Sequence, residues 1–308
     1  MASSSSLQYV TLDVFTQVKF EGNPLAVVKV PRSFSISQNQ KQQIAREFNY
    51  SETTFIHERE DGQENHWKVD IFTKNEEISF AGHPTIGTAC YALGSLSPSS
   101  TSGKFTIKAG PVSLTYQNNL ASASIPHDVH IHTANLDLPQ LHRLQPRLQT
   151  PNPTPNLPTN SPLVSIVNDM TFALIALPSL SVLSACTTGS ELASVAVDDG
   201  WSPFRSLCYY YVQLPDSEDG TKNLRTRMIK GILEDPATGS AASALTSYLT
   251  LTGGYAEGQE VRYSVVQGVE IGRRSEIGVS VVMGGDGVRE VVLKGGAVKV
   301  MEGRVDVG

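Results

Sequence analysis

Short apolar and β-branched runs, separated by clusters of Gly, Pro, Asn and Ser, dominate the chain. Runs of this kind bounded by turn formers read as strands. They predict strands near 9–15, 25–30, 53–58, 66–73 and 104–125, then near 163–168, 171–177, 206–214, 223–229, 260–267 and 277–301. Apolar residues at helical spacing predict helices near 38–48, 84–95, 188–198 and 236–251. The first of these helices opens on a capping box, Ser37 with Gln40 three residues on, and presents Ile44, Ala45 and Phe48 on one face. Gly284-Gly285-Asp286-Gly287 lies between two strands with no helix after it, which makes it a hairpin turn and not a nucleotide loop. The pattern is that of an α+β or mixed α/β protein.

An internal match adds organisation. Gly82-His83-Pro84-Thr85-Ile86-Gly87-Thr88-Ala89 aligns without gaps on Glu234-Asp235-Pro236-Ala237-Thr238-Gly239-Ser240-Ala241, at an offset of 152 residues, close to half of the 308 in the chain. In both copies a polar residue precedes a proline, which predicts His83 and Asp235 as N-caps with proline at the first helical position. Two similar domains follow. Glycine and other small residues in the first turn of each helix leave room for backbone or ligand to come close. Two such helix N-termini would suit a carboxylate facing a shared cleft, and the same pattern also describes two capped core helices with no ligand.

The midpoint of the chain is a proline-rich stretch, 146–162, which holds six of the 17 prolines and reads as an exposed loop or spacer. The net charge of −6, with no Lys or Arg run, gives no footprint for nucleic acid. No stretch approaches the roughly 20 apolar residues of a bilayer span, and the first residues have neither a basic segment nor an apolar signal core. A soluble, cytoplasmic protein is expected. Cys90, Cys186 and Cys208 are odd in number and far apart, which fits neither a disulfide framework nor a thiolate zinc site.

Among ionisable residues, Glu52 opens a β-branched strand directly after a capped helix, where partial desolvation would raise its pKa toward the range of a proton-transfer group. An exposed edge glutamate is the plainer reading. His83 sits among glycine and small residues, as a helix cap or as something more. Ser240 lies one turn into the second helix, but no Gly-x-Ser-x-Gly elbow surrounds it, so it is not read as an acylating nucleophile. His127, His130 and His132 lack an acidic or thiolate residue at useful spacing and read as surface histidines, with no metal site. Nothing in the motifs suggests flavin, nicotinamide or pyridoxal phosphate.

Taken together, the segments Asp13-Val14-Phe15-Thr16, Gly22-Asn23-Pro24-Leu25, Ser51-Glu52-Thr53-Thr54-Phe55, Gly82-His83-Pro84-Thr85, Asp235-Pro236-Ala237-Thr238-Gly239-Ser240 and Gln267-Gly268 resemble the phenazine-biosynthesis PhzF-like family. The resemblance runs through nearly the whole chain. It implies an α+β protein of the diaminopimelate epimerase-like fold, with two pseudo-symmetric domains, each a curved, mostly antiparallel sheet wrapped around a central helix, and the active site between them. It places one domain at 1–128 plus 292–308 and the other at 129–291. It further implies a homodimer, no metal and no organic cofactor. Carried over position by position, it makes Glu52 the general acid/base, with His83, Asp235 and Ser240 as its catalytic partners. Asn23, Gly82, Thr85, Thr238 and Gly239 are the expected substrate-binding positions.

The reaction implied is an isomerisation that moves a proton between carbons of a small anionic, anthranilate-like metabolite, as with trans-2,3-dihydro-3-hydroxyanthranilate. Another tautomerisation, elimination or cyclisation in the same cleft is the alternative within enzymes. A non-catalytic small-molecule binder is the alternative outside them. The two-thiol racemases of the fold are a poor match, because no cysteine stands beside His83 or Asp235. The chain departs from the family pattern at Arg227-Met228-Ile229-Lys230-Gly231, at Arg274 and in the proline-rich insert, positions that bear on substrate more than on mechanism.

Overall fold

Val, Thr, Ile and aromatic residues concentrate in the strands of the computed structural model, which describes residues 6–60, 62, 64–149 and 156–307. The chain divides into two compact units, Met1–Pro126 with Leu293–Gly308, and His127–Val292.

The first unit contains β1 (Ser6–Val14), β2 (Asn23–Val30), α1 (Gln38–Phe48), β3 (Glu52–His57), β4 (His66–Thr73), β5 (Glu77–Ile78), α2 (Gly82–Tyr91), β6 (Ser102–Ile107), β7 (Gly110–Gln117) and β8 (Leu120–Ser124). The pairing runs β1–β2 antiparallel, β2–β3 parallel, β3–β4 and β4–β5 antiparallel, β4–β6 parallel, then β6–β7 and β7–β8 antiparallel. A final long strand, labelled β17 below (Gly287–Asp306), pairs with both β1 and β8 and closes the run. Parallel neighbours need a crossover. For β4 and β6 that crossover contains α2, every residue of which is buried. A helix without a polar face belongs inside a sheet, not on its surface. Gly87 explains part of the closeness: a Cβ there would lie 2.6 Å from Leu25 Cδ2 and from Val14 Cγ2. Its role is packing. Helix α1 lies outside the sheet, held by the Ser37–Gln40 capping box and burying Ile44 and Ala45 against Leu7, Val28, Phe55 and Phe72.

The second unit repeats the plan with β9 (His130–Asp137), α3 (Leu138–Leu144), β10 (Asn160–Val167), β11 (Met170–Ala176), α4 (Leu180–Ala185), β12 (Cys208–Gln213), β13 (Lys222–Lys230), β14 (Leu233–Asp235), α5 (Gly239–Thr252), β15 (Glu260–Gln267), β16 (Ser275–Gly284) and the start of β17. Its order is β10–β11 antiparallel, β11–β12 parallel, β12–β13 and β13–β14 antiparallel, β13–β15 parallel and β15–β16 antiparallel. Taken from β1 and from β10, the two sequences of pairings are the same. The buried helix α5 takes the place of α2 and packs on β10, β11, β15 and β16. This is the α+β, diaminopimelate epimerase-like architecture, in which one sheet-and-helix plan is present twice. The turn between β16 and β17 is the two residues Gly285-Asp286.

Three expectations need correction. Residues 188–198 are not helical. Burial alternates there, with Ala193, Val195 and Val197 turned inward and Ser194 and Ala196 exposed, which is the period of an extended chain. Two of its backbone N–H groups find partners outside the segment, Gly189 N at Gly231 O and Ala193 N at Ser206 Oγ.

The proline-rich stretch is more than a spacer. Residues 150–155 of it lie outside the described residues, but Leu148 and Leu157 are buried in the core of the second unit. Pro162 stands inside β10, a strand paired on both sides, next to a register shift between Pro162 and Val164 where a missing N–H is tolerated.

Neither expected N-cap caps its helix. Helix α2 begins at Gly82 with Ala81 as N-cap, so His83 is already in the first turn. Helix α5 begins at Gly239 with Thr238 as N-cap, and Asp235 ends β14.

Candidate functional site

In the first unit, the sheet brings Glu52 to His83. Glu52 and Thr54 share one face of β3, by the two-residue period of a strand. Thr54 Oγ1 lies 2.9 Å from Thr88 Oγ1 on α2, and both threonines are wholly buried. Two residues of strand and five of helix each advance about 7 Å, so the threonine contact sets Glu52 level with the start of α2. There His83 Nδ1 stands 3.5 Å from Glu52 Oε2.

His83 is only 5% exposed. Burial drives its pKa down to about 3, against the pull of a hydrogen bond with the Pro24 backbone, so the imidazole is neutral near pH 7. Its Nε2 is buried without a hydrogen-bond partner among the described residues. A buried polar atom left unpaired costs about 1–3 kcal/mol, and in a native protein it calls for a reason. Asn23 and Pro24 begin β2 beside this histidine, and Asn23 is buried. Gly82 is the first residue of α2, and the Thr85 hydroxyl is turned back on the Ala81 carbonyl, 2.8 Å away.

In the second unit, β14 ends at Asp235 and α5 starts at Gly239. The turn between them is held from below. Thr238 Oγ1 donates to Asp235 Oδ2 at 2.5 Å, and Gln267, wholly buried at the end of β15, reaches Asp235 O, Thr238 Oγ1 and Thr238 N. Gly268 makes this approach feasible: its φ is +75°, and a Cβ would lie 2.6 Å from Pro236 O. Ser240 follows in the first turn of α5, buried. Asp235, Thr238, Gly239 and Ser240 thus form one cluster, in which Gln267 was not foreseen. The Gln267-Gly268 pair was visible as a motif, but a glutamine at a strand end gives no sign of what it will hold.

The three cysteines are buried free thiols. Burial pushes each of them up to about 12, which leaves no thiolate for proton abstraction at neutral pH. Two-thiol chemistry therefore lacks its groups.

Reading His130 and His132 as surface residues without an acidic partner misses Asp198, which the extended 186–207 segment supplies. His130 Nε2 lies 2.8 Å from Asp198 Oδ2, and Asp198 N donates to His132 Nδ1 at 3.2 Å. His132 is buried, and its Nε2 meets Ser165 Oγ at 2.9 Å. Trp201 stacks on His130 with centroids 4.7 Å apart. The three side chains could approach a metal ion. Yet the lone pair of His132 Nδ1 is taken by a backbone N–H, so the geometry is that of a clasp between β9 and the 186–207 segment. A cavity of ≈ 520 Å³ in the first unit, lined by Arg32, His57, Arg59, His66 and Lys68, lies at the far end of β3 from Glu52.

A sheet plan repeated on two buried helices, with Glu52 beside His83 at the start of the first, is an epimerase-like fold. The chain belongs to the PhzC-PhzF family of phenazine biosynthesis-like proteins, which it matches over residues 12–303. It is 32% identical to a trans-2,3-dihydro-3-hydroxyanthranilate isomerase of Pseudomonas fluorescens, over 87% of each chain. It is 29% identical to an uncharacterized isomerase of Mesorhizobium japonicum, over 96% of this chain and 98% of that one. Among solved structures, a PhzF-family phenazine biosynthesis protein of Bacillus anthracis superposes with a TM-score of 0.77 at 20% identity, covering 98% and 99% of the two chains. Family and relatives support an isomerase- or epimerase-type function.

Proposed function

We propose that the protein is an isomerase that uses Glu52 to move a proton between carbons of a small anionic, cyclic metabolite without an organic cofactor. One observation supports this reading above others: a carboxylate set 3.5 Å from a buried imidazole that is neutral and has one nitrogen unpartnered among the described residues. A carboxylate held beside a C–H bond can take the proton and return it to a second carbon on the same face. With Nδ1 facing two acceptors, the Pro24 backbone and Glu52, the neutral imidazole carries its proton there and offers Nε2 as an acceptor to a substrate O–H or N–H, without adding a competing acid. Such a shuffle needs no electron acceptor and no group carrier. The relatives named for trans-2,3-dihydro-3-hydroxyanthranilate make that compound the first substrate to try.

The test is incubation in deuterated water with dihydrohydroxyanthranilate and a panel of small cyclic carboxylates, followed by NMR, beside Glu52→Gln. The expected result is deuterium at carbon and a rearranged product with the wild type. Glu52→Gln should lose 10²-fold to 10⁴-fold in rate, the usual range for a general base, with ligand affinity retained. Turnover that survives Glu52→Gln would overturn the assignment of the base. Saturable binding with no exchange in either form would replace the isomerase by a binder.

A further inference from the structure

The hydrogen bonds around Asp235 have a direction that the atoms themselves impose. Gln267 Nε2 carries only protons, and it donates to Asp235 O at 2.8 Å and to Thr238 Oγ1 at 3.0 Å. With its oxygen accepting from the amide, the Thr238 hydroxyl has its single proton for Asp235 Oδ2, 2.5 Å away. The glutamine cannot be turned over, because its Oε1 accepts from Thr238 N at 3.3 Å and from the Tyr209 hydroxyl at 3.0 Å. Tyr209 is wholly buried, and burial pushes its phenol well above the ordinary range, so it stays a protonated donor. Its oxygen is also 3.0 Å from Thr226 Oγ1.

From this we infer that Gln267 is a positioning residue for Asp235, fixing the Thr238 hydroxyl as a donor and so holding Asp235 as an oriented carboxylate. The inference rests on the isomerase reading only for its meaning in catalysis, since the orientation is a property of the second unit alone. Two neighbouring carboxylates are paired with arginines. Glu234 forms a two-pronged pair with Arg227, at 2.6 and 2.8 Å, and Arg225 pairs with Glu270 at 2.9 Å. Tyr209 is one titratable group whose charge is coupled to Asp235. A hydrogen bond given to the charged form of a carboxylate lowers its pKa, and removing the donor raises it.

The experiment is a ¹³C-carboxyl NMR titration of Asp235, its signal assigned with Asp235→Asn. Thr238→Val should raise the midpoint by about one pH unit, and Thr238→Ser should restore the wild-type value. Gln267→Met should raise the midpoint as well, and the double variant should add nothing to the larger single effect, because the two residues act as one chain. Independent effects that sum, or a Gln267→Met midpoint equal to the wild type, would overturn the inference. A second measurement needs no core substitution. The Gln267 side-chain amide signals of the wild type should shift with the same midpoint as Asp235, and an amide indifferent to that titration would overturn the proposal equally. None of these readings requires turnover, so a failure of the isomerase assignment stays separate. Where a substrate is turned over, Gln267→Met should lower kcat and move the Asp235-dependent limb of the pH profile upward by the same amount, with KM little changed.

Discussion

His83 Nδ1 lies 3.5 Å from Glu52 Oε2, yet the pair is not a salt bridge at neutral pH, because burial holds the imidazole near a pKa of about 3. The rate of isotope exchange should accordingly carry no inflection from His83 between pH 5 and 9, a window set well above that value. The check is the pH profile of wild type against His83→Asn. An inflection near 6.5 that disappears in the variant would mean that the histidine titrates as an ordinary exposed one.

Acid stability should depend on Asp70. Burial alone would raise this carboxyl, but hydrogen bonds from His57 at 2.7 Å and Lys41 at 2.5 Å outweigh it and bring the pKa down to about 2, from 3.8. A depressed folded pKa gives stability that is present above the unfolded value and is lost as pH falls through about 4 toward 2. The shift corresponds to about 2 kcal/mol. Urea unfolding of Asp70→Asn should show a clear loss at pH 7 and a much smaller difference from the wild type near pH 2. Equal losses at both pH values would mean that packing, not charge, is responsible.

The thiols should be silent in the native protein. With all three pushed to about 12, Ellman's reagent at pH 8 should label none of them on the time scale of minutes, and all three after denaturation. Cys90→Ala should also leave isotope exchange in place. Rapid native labelling of one cysteine would reopen a role for a thiolate.

Gly87→Ala tests whether the small-residue helix serves packing. Alanine favours a helix interior by about 1 kcal/mol, but its Cβ would meet Leu25 and Val14 at 2.6 Å in a core with no exposure at either residue. Overpacking of this kind costs about 1–3 kcal/mol, so the net effect should be destabilising, read as a lower midpoint in urea. A variant more stable than the wild type would show that the core yields there.

Asp198→Asn should loosen the extended 186–207 segment. The carboxylate receives Thr133 N and the Thr133 hydroxyl in addition to facing His130. Limited proteolysis should cut within the segment faster in the variant, with Trp201 fluorescence reporting the altered stack on His130. Unchanged cleavage would place the hold on that segment elsewhere.

Local rules were legible wherever one element decides its own geometry. Ser37 and Gln40 cap α1 as their types require, and β3 and β4 follow from β-branched and aromatic runs. The internal match located both central helices, but their first residues escaped it. Asp-Pro is a good helix start in isolation, and here Gln267, 32 residues further on, binds the Asp235 carbonyl and the Thr238 amide and keeps the turn non-helical until Gly239. The same cause hid Asp198 from His130 and His132, which it meets across 66 residues or more of chain. In 188–198 the apolar residues fit a helix as well as a strand, and only the core of the second unit selects the two-residue period. Glu52 and His83 were each visible singly, whereas their closeness depends on the buried Thr54–Thr88 contact, which spacing does not encode.

The pairing of β1 with β17 has a consequence for how the protein is made. Ser6 stands opposite Asp306, so the first unit takes its closing strand from the last part of the chain, while His127–Val292 is continuous. During vectorial synthesis the continuous unit can finish folding while the earlier one still presents the edges of β1 and β8. Those edges carry unpaired N–H and C=O groups until β17 arrives, and open edges of this kind invite pairing with other chains. Order of translation and order of completion are reversed: the unit that begins first closes last.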